Sequence, residues 1–439
     1  MIGYADIGDT GMRLGGRLAA AIEIIEDIHT RHRPAADALK DWGLSHRFAG
    51  SGDRGAIGNI VYDALRRRRS AAWLFQSDAP RALALGALLL EWDLDLADID
   101  AATAKDGFSP PPLSDDERCA VAENTLAQAP DPVRADCPDW CIPLIEDAFG
   151  ADWVEEAAAL ASRPPLDLRV NPLRASRERV LQEIERSGAG PTRIAPYGVR
   201  IPPIRGSGRH PNVQAEPGFR KGWFEVQDEG SQLTAELAGA TAAMQVLDYC
   251  AGAGGKTLAL SAAMENGGQL FAYDAEKARL APIFERLRRA ECRNVQVTAR
   301  AGELEPLAGR MDLVVVDAPC SGSGTWRRRP DAKWRLTARQ VEVRLSEQAA
   351  ILQRASRFVK PGGRLAYITC SVFPEENQGQ VRNFLEANAD FAAVDAAALW
   401  RDRFPAHAAR CRKTDPGLLL SPRLTGTDGF FFAMVQKIG

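Results

Sequence analysis

The stretch Gln245-Val246-Leu247-Asp248-Tyr249-Cys250, followed by Ala251-Gly252-Ala253-Gly254-Gly255-Lys256-Thr257, joins a short apolar run to a cluster of small residues. The first part reads as a buried strand, the second as a tight turn, and the continuation to Met264 as a helix. Working outward toward the C-terminus, the same alternation recurs. GQLFAYD, NVQV, MDLVVVD and GRLAYITC read as strands. KARLAPIFERLRRA, SEQAAILQRASRFV and EENQGQVRNFLEAN read as helices, and GFFFAMVQK closes the chain. Strands alternating with helices predict an α/β unit built on a doubly wound parallel sheet over residues 236–439.

Working outward toward the N-terminus, the pattern changes twice. LDLRVN and YGVRIP flank the helix-like ERVLQEIERSG, which predicts a small α+β unit. With the helices before it, this unit is assigned residues 136–235. Leu18, Ile22, Ile25 and Ile28, then Ile57, Ile60, Val61 and Leu65, fall at helical spacing, so residues 1–135 are assigned to an all-α domain. Arg66-Arg67-Arg68-Arg69 is expected to end the second of these helices, where cations suit the helix dipole. Ser109-Pro110-Pro111-Pro112 is expected to be an interdomain loop.

A chain of 439 residues, 45% hydrophobic and 26% charged, has the composition of a globular protein of two or three domains. The first residues lack the pattern of a signal peptide, and ALALGALLL is too short to span a bilayer. A soluble, cytoplasmic protein with no membrane partner is therefore expected. The eight cysteines are scattered, which is no disulfide framework, and Cys137 and Cys141 lack the further ligands of a zinc site. No metal is expected. Net charge is −3, but its distribution is uneven: residues 1–150 hold 15 Lys+Arg against 25 Asp+Glu, and residues 241–439 hold 28 against 21. Arginine dominates the basic excess, and it suits phosphate and base contacts.

Three readings of the glycine-rich turn compete. A phosphate-binding P-loop requires glycine at position 250, which is Cys250. A dinucleotide GxGxxG starting at Gly252 requires glycine at position 257, which is Thr257. The S-adenosylmethionine loop of class I methyltransferases needs only small residues and an acid ending the second strand. Asp274 stands there, 22 residues after Gly252.

Asp317-Ala318-Pro319-Cys320-Ser321 ends one strand and Thr369-Cys370-Ser371 another. Open α/β sheets bind ligands at the carboxyl ends of their strands, so both cysteines are expected on the rim that carries the glycine turn. Methylation at nitrogen or oxygen uses a lone pair and needs no thiol. Carbon 5 of a pyrimidine is a poor nucleophile. It becomes reactive when a thiolate adds to carbon 6, and a second acid/base must then help remove the carbon-5 proton. Asp317, if burial raises its pKa, could hold a proton at N3 of the ring.

DYCAGAGGKT, DAPCSGSGTWRRRPDAKW, TCSVFPEEN and the terminal GTDGFFFA together resemble the RsmB/Sun-type (Fmu) RNA 5-methylcytosine methyltransferases over about residues 160–439. The resemblance implies a Rossmann-like methyltransferase domain. It implies Cys370 as nucleophile and Cys320 as the group assisting release. It also implies S-adenosylmethionine contacts from Cys250, Ala251, Gly252, Ala253, Gly254, Gly255, Lys256, Asp274 and Asp317. In the family an acid after the third strand contacts the adenine; here the sequence reads Ala301-Gly302-Glu303, so Glu303 would have to serve from one position further on.

The all-α domain resembles NusB through GDRGAIGNIVYDALRRRR, and the segment from Leu168 to Pro172 resembles the family's RNA-recognition insert. NusB-like domains bind RNA or protein, and both stay open for this one; a NusB-like domain beside the insert implies bacterial small-subunit ribosomal RNA as the substrate, and a monomer is expected. Trp326-Arg327-Arg328-Arg329 and Lys333-Trp334-Arg335, just beyond Cys320, are expected to touch that RNA. Two other functions compete: a non-catalytic RNA-binding or ribosome-assembly factor that keeps the fold, and methylation of DNA or a small molecule.

Overall fold

The computed structural model describes residues 11–104 and 107–438. Residues 1–10, in which no signal pattern is read, lie outside the described residues. No helix among the described residues is long and apolar enough to cross a membrane.

Five helices, α1 (Leu14–Arg31), α2 (Ala35–Ser45), α3 (Ser51–Arg66), α4 (Arg68–Phe75) and α5 (Pro80–Glu91), enclose the N-terminal core. Ile24, Ile25, Ile57, Ile60 and Leu83 are among its fully buried side chains. α3 does end at Arg66, but the arginine run is not a solvated helix end. Arg66 is buried against Asp63, Arg67 pairs with Glu91 and Asp136, and Arg69 pairs with Asp139.

A small antiparallel sheet follows, in the order β2 (Gly190–Pro191), β3 (Gly198–Ile201), β1 (Leu166–Val170), β4 (Phe224–Val226). Helix Arg177–Glu183 contributes Val180 to the core it shares with this sheet.

The large sheet contains nine strands. Its parallel half consists of β7 (Val295–Thr298), β6 (Gln269–Tyr273), β5 (Gln245–Asp248), β8 (Met311–Asp317) and β9 (Val359–Thr369), neighbours in that order. Beyond β9 the sheet turns antiparallel through β13 (Phe430–Lys437), β12 (Gly417–Leu420) and β11 (Arg412–Thr414), and β10 (Phe391–Val394) also pairs with β13. The sheet is thus mixed rather than parallel throughout. Phe391–Val394, between the helices Gln378–Ala387 and Ala396–Arg403, and the strands within residues 412–420 lie outside those expected from the sequence.

Period-two alternation sends Leu247, Val314, Val316 and Tyr367 to one face and Val246, Leu313, Val315 and Ile368 to the other. Helices cover both faces, so neither has to alternate with polar residues. On the first face the helices Ile142–Phe149 and Trp153–Leu160 bury Ile145, Phe149 and Leu160 in the same core as the sheet. These helices, assigned with the small α+β unit to residues 136–235, therefore belong to the core of the large sheet.

Candidate active site

The rim formed by the carboxyl ends of the parallel strands collects the acids and thiols picked out in the sequence. After β5 the chain turns through Gly252 and Gly254, which hold φ of 50° and 85°. A Cβ on Gly254 would lie 2.4 Å from Ile283 Cγ1, so that position needs glycine for packing as well as for backbone freedom. The buried Asp274 carboxylate follows β6. Its Oδ2 accepts the Gly252 N–H at 2.9 Å and its Oδ1 the Glu276 N–H at 2.9 Å. Acceptor capacity remains on both oxygens.

Asp248 ends β5 fully buried. Thr257 donates to its Oδ2 at 2.7 Å, while its Oδ1 has no hydrogen-bond partner among the described residues. Burial pushes the Asp248 carboxyl up to about 7. Gln227 Oε1, beside the same turn, is also buried and unpartnered. Lys256 Nζ reaches Asp317 Oδ2 at 2.8 Å and Ser231 Oγ at 3.3 Å.

These residues fit S-adenosylmethionine. The turn leaves room at Gly252, where a Cβ would meet nothing nearer than 3.6 Å. Asp274 suits ribose hydroxyls, and the acids Asp248 and Asp317 suit an ammonium group. Burial raises the pKa of Cys250, which keeps it a neutral thiol. Glu303 lies in the turn after β7, half exposed, and is engaged by Thr298 and Arg300.

The two cysteines meet. Cys320 Sγ and Cys370 Sγ are 3.4 Å apart, at the ends of the neighbouring strands β8 and β9. Their loops are laced together. Gly324 N–H donates to Cys370 O at 3.0 Å, and Gly429 N–H donates to Gly324 O at 2.8 Å. Ser323 and Ser371 hydroxyls bond at 2.9 Å.

Sequence reading missed the residue that anchors this lacing, Glu376. Its fully buried carboxylate accepts the Ser321 N–H at 2.8 Å, the Ser321 hydroxyl, and Gln348 Nε2 at 3.0 Å. Asn377 bonds Thr369 Oγ1 and, through Nδ2, Ser371 O at 2.9 Å. Both residues stand in the quoted TCSVFPEEN, but polar residues after a strand read equally well as a solvated helix start. The hydrogen bond to Cys370, then burial, push the Cys320 thiol well up, so Cys320 stays a protonated thiol beside Cys370.

Two expectations need correction. Asp317 is not buried: its side chain is 34% exposed and paired with Lys256, so the burial invoked to raise its pKa is absent. The Trp-Arg run beyond Cys320 is mostly turned inward. Arg327 and Arg328 bridge Asp228 and Asp428, and Trp326 is buried. Lys333 Nζ donates to the backbone carbonyls of Arg66 and Asp136, and Trp334 Nε1 to Leu65 O at 2.6 Å. Carboxylates and helix-end carbonyls from the other units capture these donors before solvent can. What stays open is a cavity of about 570 Å³ beside Cys320, lined in part by Arg335, Arg339 and Arg344. Cys320, not Cys370, faces it.

Residues 237–436 match the model of the 16S rRNA methyltransferase RsmB/F family, and residues 137–203 match the ferredoxin-like domain of the RsmF/B-like methyltransferases. These two segments belong to the RsmB/F methyltransferase family. Ribosomal RNA small subunit methyltransferase B of Erwinia tasmaniensis is 33% identical over 307 residues, 68% of this chain and 66% of that protein. The chain thus spans slightly under two thirds of the length of the curated relatives it matches. Among solved structures, that of PH0851 aligns with a TM-score of 0.70 at 22% identity, covering 97% of this chain and all of that one. NSun6 from Pyrococcus horikoshii, solved with SFG, aligns with a TM-score of 0.58 at 20% identity, over 69% of this chain and 98% of its own. Both likenesses concern the fold alone. It includes the parallel strands whose ends carry Cys320, Cys370 and the glycine turn.

Proposed function

We propose that this chain transfers a methyl group from S-adenosylmethionine to carbon 5 of a cytosine in RNA, with bacterial small-subunit ribosomal RNA as the substrate. The observation that carries the reading is the 3.4 Å approach of two free thiols beside a cradle suited to the methyl donor. When bound, S-adenosylmethionine supplies an electrophilic methyl group.

Cys370, 3.4 Å from a neighbour that keeps its proton, adds as thiolate to carbon 6 of the base. The new carbon–sulfur bond pushes an electron pair to carbon 5, which takes the methyl. A base near Cys320 then removes the carbon-5 proton, the carbon–hydrogen bonding pair restores the ring double bond, and the carbon–sulfur pair departs with Cys370 as its thiolate. Cys320 assists this release. Asp317, at the end of the strand that leads to Cys320 and paired with Lys256, faces the donor cradle as an anionic contact. In this reading the NusB-like helical unit and the α+β unit recognise RNA, residues 1–135 and 136–235 respectively, and the enzyme acts as a cytoplasmic monomer.

Cys370→Ala should abolish methyl transfer, and Cys320→Ala should accumulate a covalent protein–RNA adduct that resists denaturing electrophoresis. Bisulfite sequencing of RNA from a deletion strain, incubated with the enzyme, should show one cytosine protected. Normal transfer by Cys370→Ala would overturn the assignment.

A further inference from the structure

We propose that the cleft between α2 and α3 holds an unpaired nucleotide of the same RNA strand that presents the target base. The proposal rests on the RNA-methylation reading above and extends it to a second contact surface.

The cleft measures about 350 Å³, a size ordinary for a small-ligand site. Leu39, Trp42, Ile57 and Tyr62 give it apolar and aromatic walls; Lys40, Arg54 and Asn59 give it polar ones. No carboxylate lines it. Most acids nearby are already satisfied: Asp41 pairs with Arg33, Asp53 with Arg17, Asp331 with Arg335, and Glu23 accepts the Trp42 indole N–H at 3.1 Å, which leaves the exposed Asp37 on α2 without an ion pair among the described residues. Lys40 and Arg54 are exposed and have no ion pair among the described residues. Arg209 adds a third such cation: it packs over Gly55 on the rim and bonds only the Ser51 carbonyl. In an N-terminal domain rich in acids, this face is where cations are left for an anionic partner.

Aromatic walls bordered by free cations are what single-stranded nucleic acid requires, since every base has a face to stack and every link a phosphate to neutralise. Trp42 continues outward into a stack. The His46 ring lies 4.3 Å from it at 10°, and Phe48, 72% exposed, meets His46 edge-on.

The cleft also adjoins the candidate active site. The short helix Pro330–Arg335 forms the partition. Ala332 and Arg335 line the cavity beside Cys320. From the same helix Asp331 accepts the Ala35 N–H at the start of α2, and Trp334 donates to Leu65 in α3. Ala36 and Tyr62, one and three residues from those contacts, line the cleft. A strand leaving the cavity over this helix therefore enters the cleft. A protein partner would gain nothing from that continuity.

The test compares two RNAs, one trimmed to the target and its immediate neighbours, the other extended on both sides. Binding is measured on Cys370→Ala protein, which turns nothing over, and turnover on the otherwise unaltered chain. Lys40→Ala/Arg54→Ala should weaken binding of the extended RNA about tenfold and lower its salt slope by about 1.4, the value for two lost single-strand phosphate contacts. The trimmed RNA, kcat and donor affinity should not change. Extended RNA carrying 4-thiouridine should cross-link to the peptide spanning residues 35–62. Equal binding of both RNAs by parent and variant, or cross-links that avoid this peptide, would overturn the proposal. Failure of the active-site reading would appear elsewhere, as a missing adduct with Cys320→Ala.

Discussion

Asp248 has one carboxylate oxygen bonded to Thr257 and the other buried without a partner. A buried acceptor left unpaired destabilises the fold, and more so when ionised. The folded-state pKa of about 7 lies above the ordinary value of 3.8, so folding is favoured with the proton on. That contribution is complete below about pH 4 and is lost as pH rises through 7. Asp248→Asn keeps the acceptor for Thr257 and removes the charge. In the absence of donor its Tm should match the parent near pH 4 and exceed it by several degrees at pH 8, while affinity for S-adenosylmethionine falls. A Tm difference independent of pH would show that Asp248 does not ionise in this range. Glu376 makes the complementary case, because each of its oxygens is used. Glu376→Ala strips three donors of their acceptor, frees the Ser321 loop, and should lower kcat by at least tenfold while leaving donor affinity intact. Isothermal titration and single-turnover kinetics separate the two effects. At this scale the sequence disclosed Asp274, Cys320 and Cys370, because strand ends announce them. It could not disclose Glu376, whose importance comes from what folds onto it.

The decisive junction between elements is the crossing of three loops where Gly324 faces Gly429. A Cβ on Gly324 would sit 2.1 Å from the Gly429 carbonyl oxygen, a backbone atom that cannot rotate away. Gly324→Ala should therefore push the chain before β13 away from the Cys320 loop, at a cost of about 1–3 kcal/mol in stability. It should also part the two sulfurs, so chemical denaturation should show the loss and adduct formation with Cys320→Ala as background should slow. Unchanged adduct kinetics would mean that the thiols are held independently of this crossing. The parallel strands were legible because each is a short apolar run ended by a turn and followed by a helical period. β10, β11 and β12 were not, since they are defined by pairing, β10 and β12 with β13 and β11 with β12, rather than by their own pattern. The helix Ala338–Ser356 was read from Ser346 onward. Its first two turns carry Val341 and Leu345 at helical spacing toward the core, a period interrupted in the sequence by the Arg339, Val343 and Arg344 that border the cysteine cavity.

Across the whole molecule, the basic run beyond Cys320 acts as a joint rather than a solvated surface. Arg66 donates through Nε to Arg327 O at 2.9 Å, Lys333 returns a donor to Arg66 O, and Arg327 and Arg328 lock Asp228 to Asp428. Composition could not distinguish this from an RNA-facing patch, because the acids that neutralise it lie about a hundred residues away on either side. Lys333 is the sharpest probe of the joint. It is 2% exposed, its Nζ is held by backbone carbonyls, and burial pushes its ammonium down to about 8 from 10.5. A lysine whose folded pKa is depressed favours folding above its unfolded value and loses that contribution as pH falls through 8. Lys333→Met keeps the length of the side chain and removes both the proton equilibrium and the donor. Relative to this variant, the parent should gain stability as pH rises from about 8 to 10. At neutral pH the variant should exchange amide hydrogens faster at the C-terminal end of α3 and in residues 326–335, with KM for RNA raised and donor affinity unchanged. If exchange quickened in α3 alone, the two halves would be merely adjacent, and the N-terminal helices would not brace the wall of the cysteine cavity.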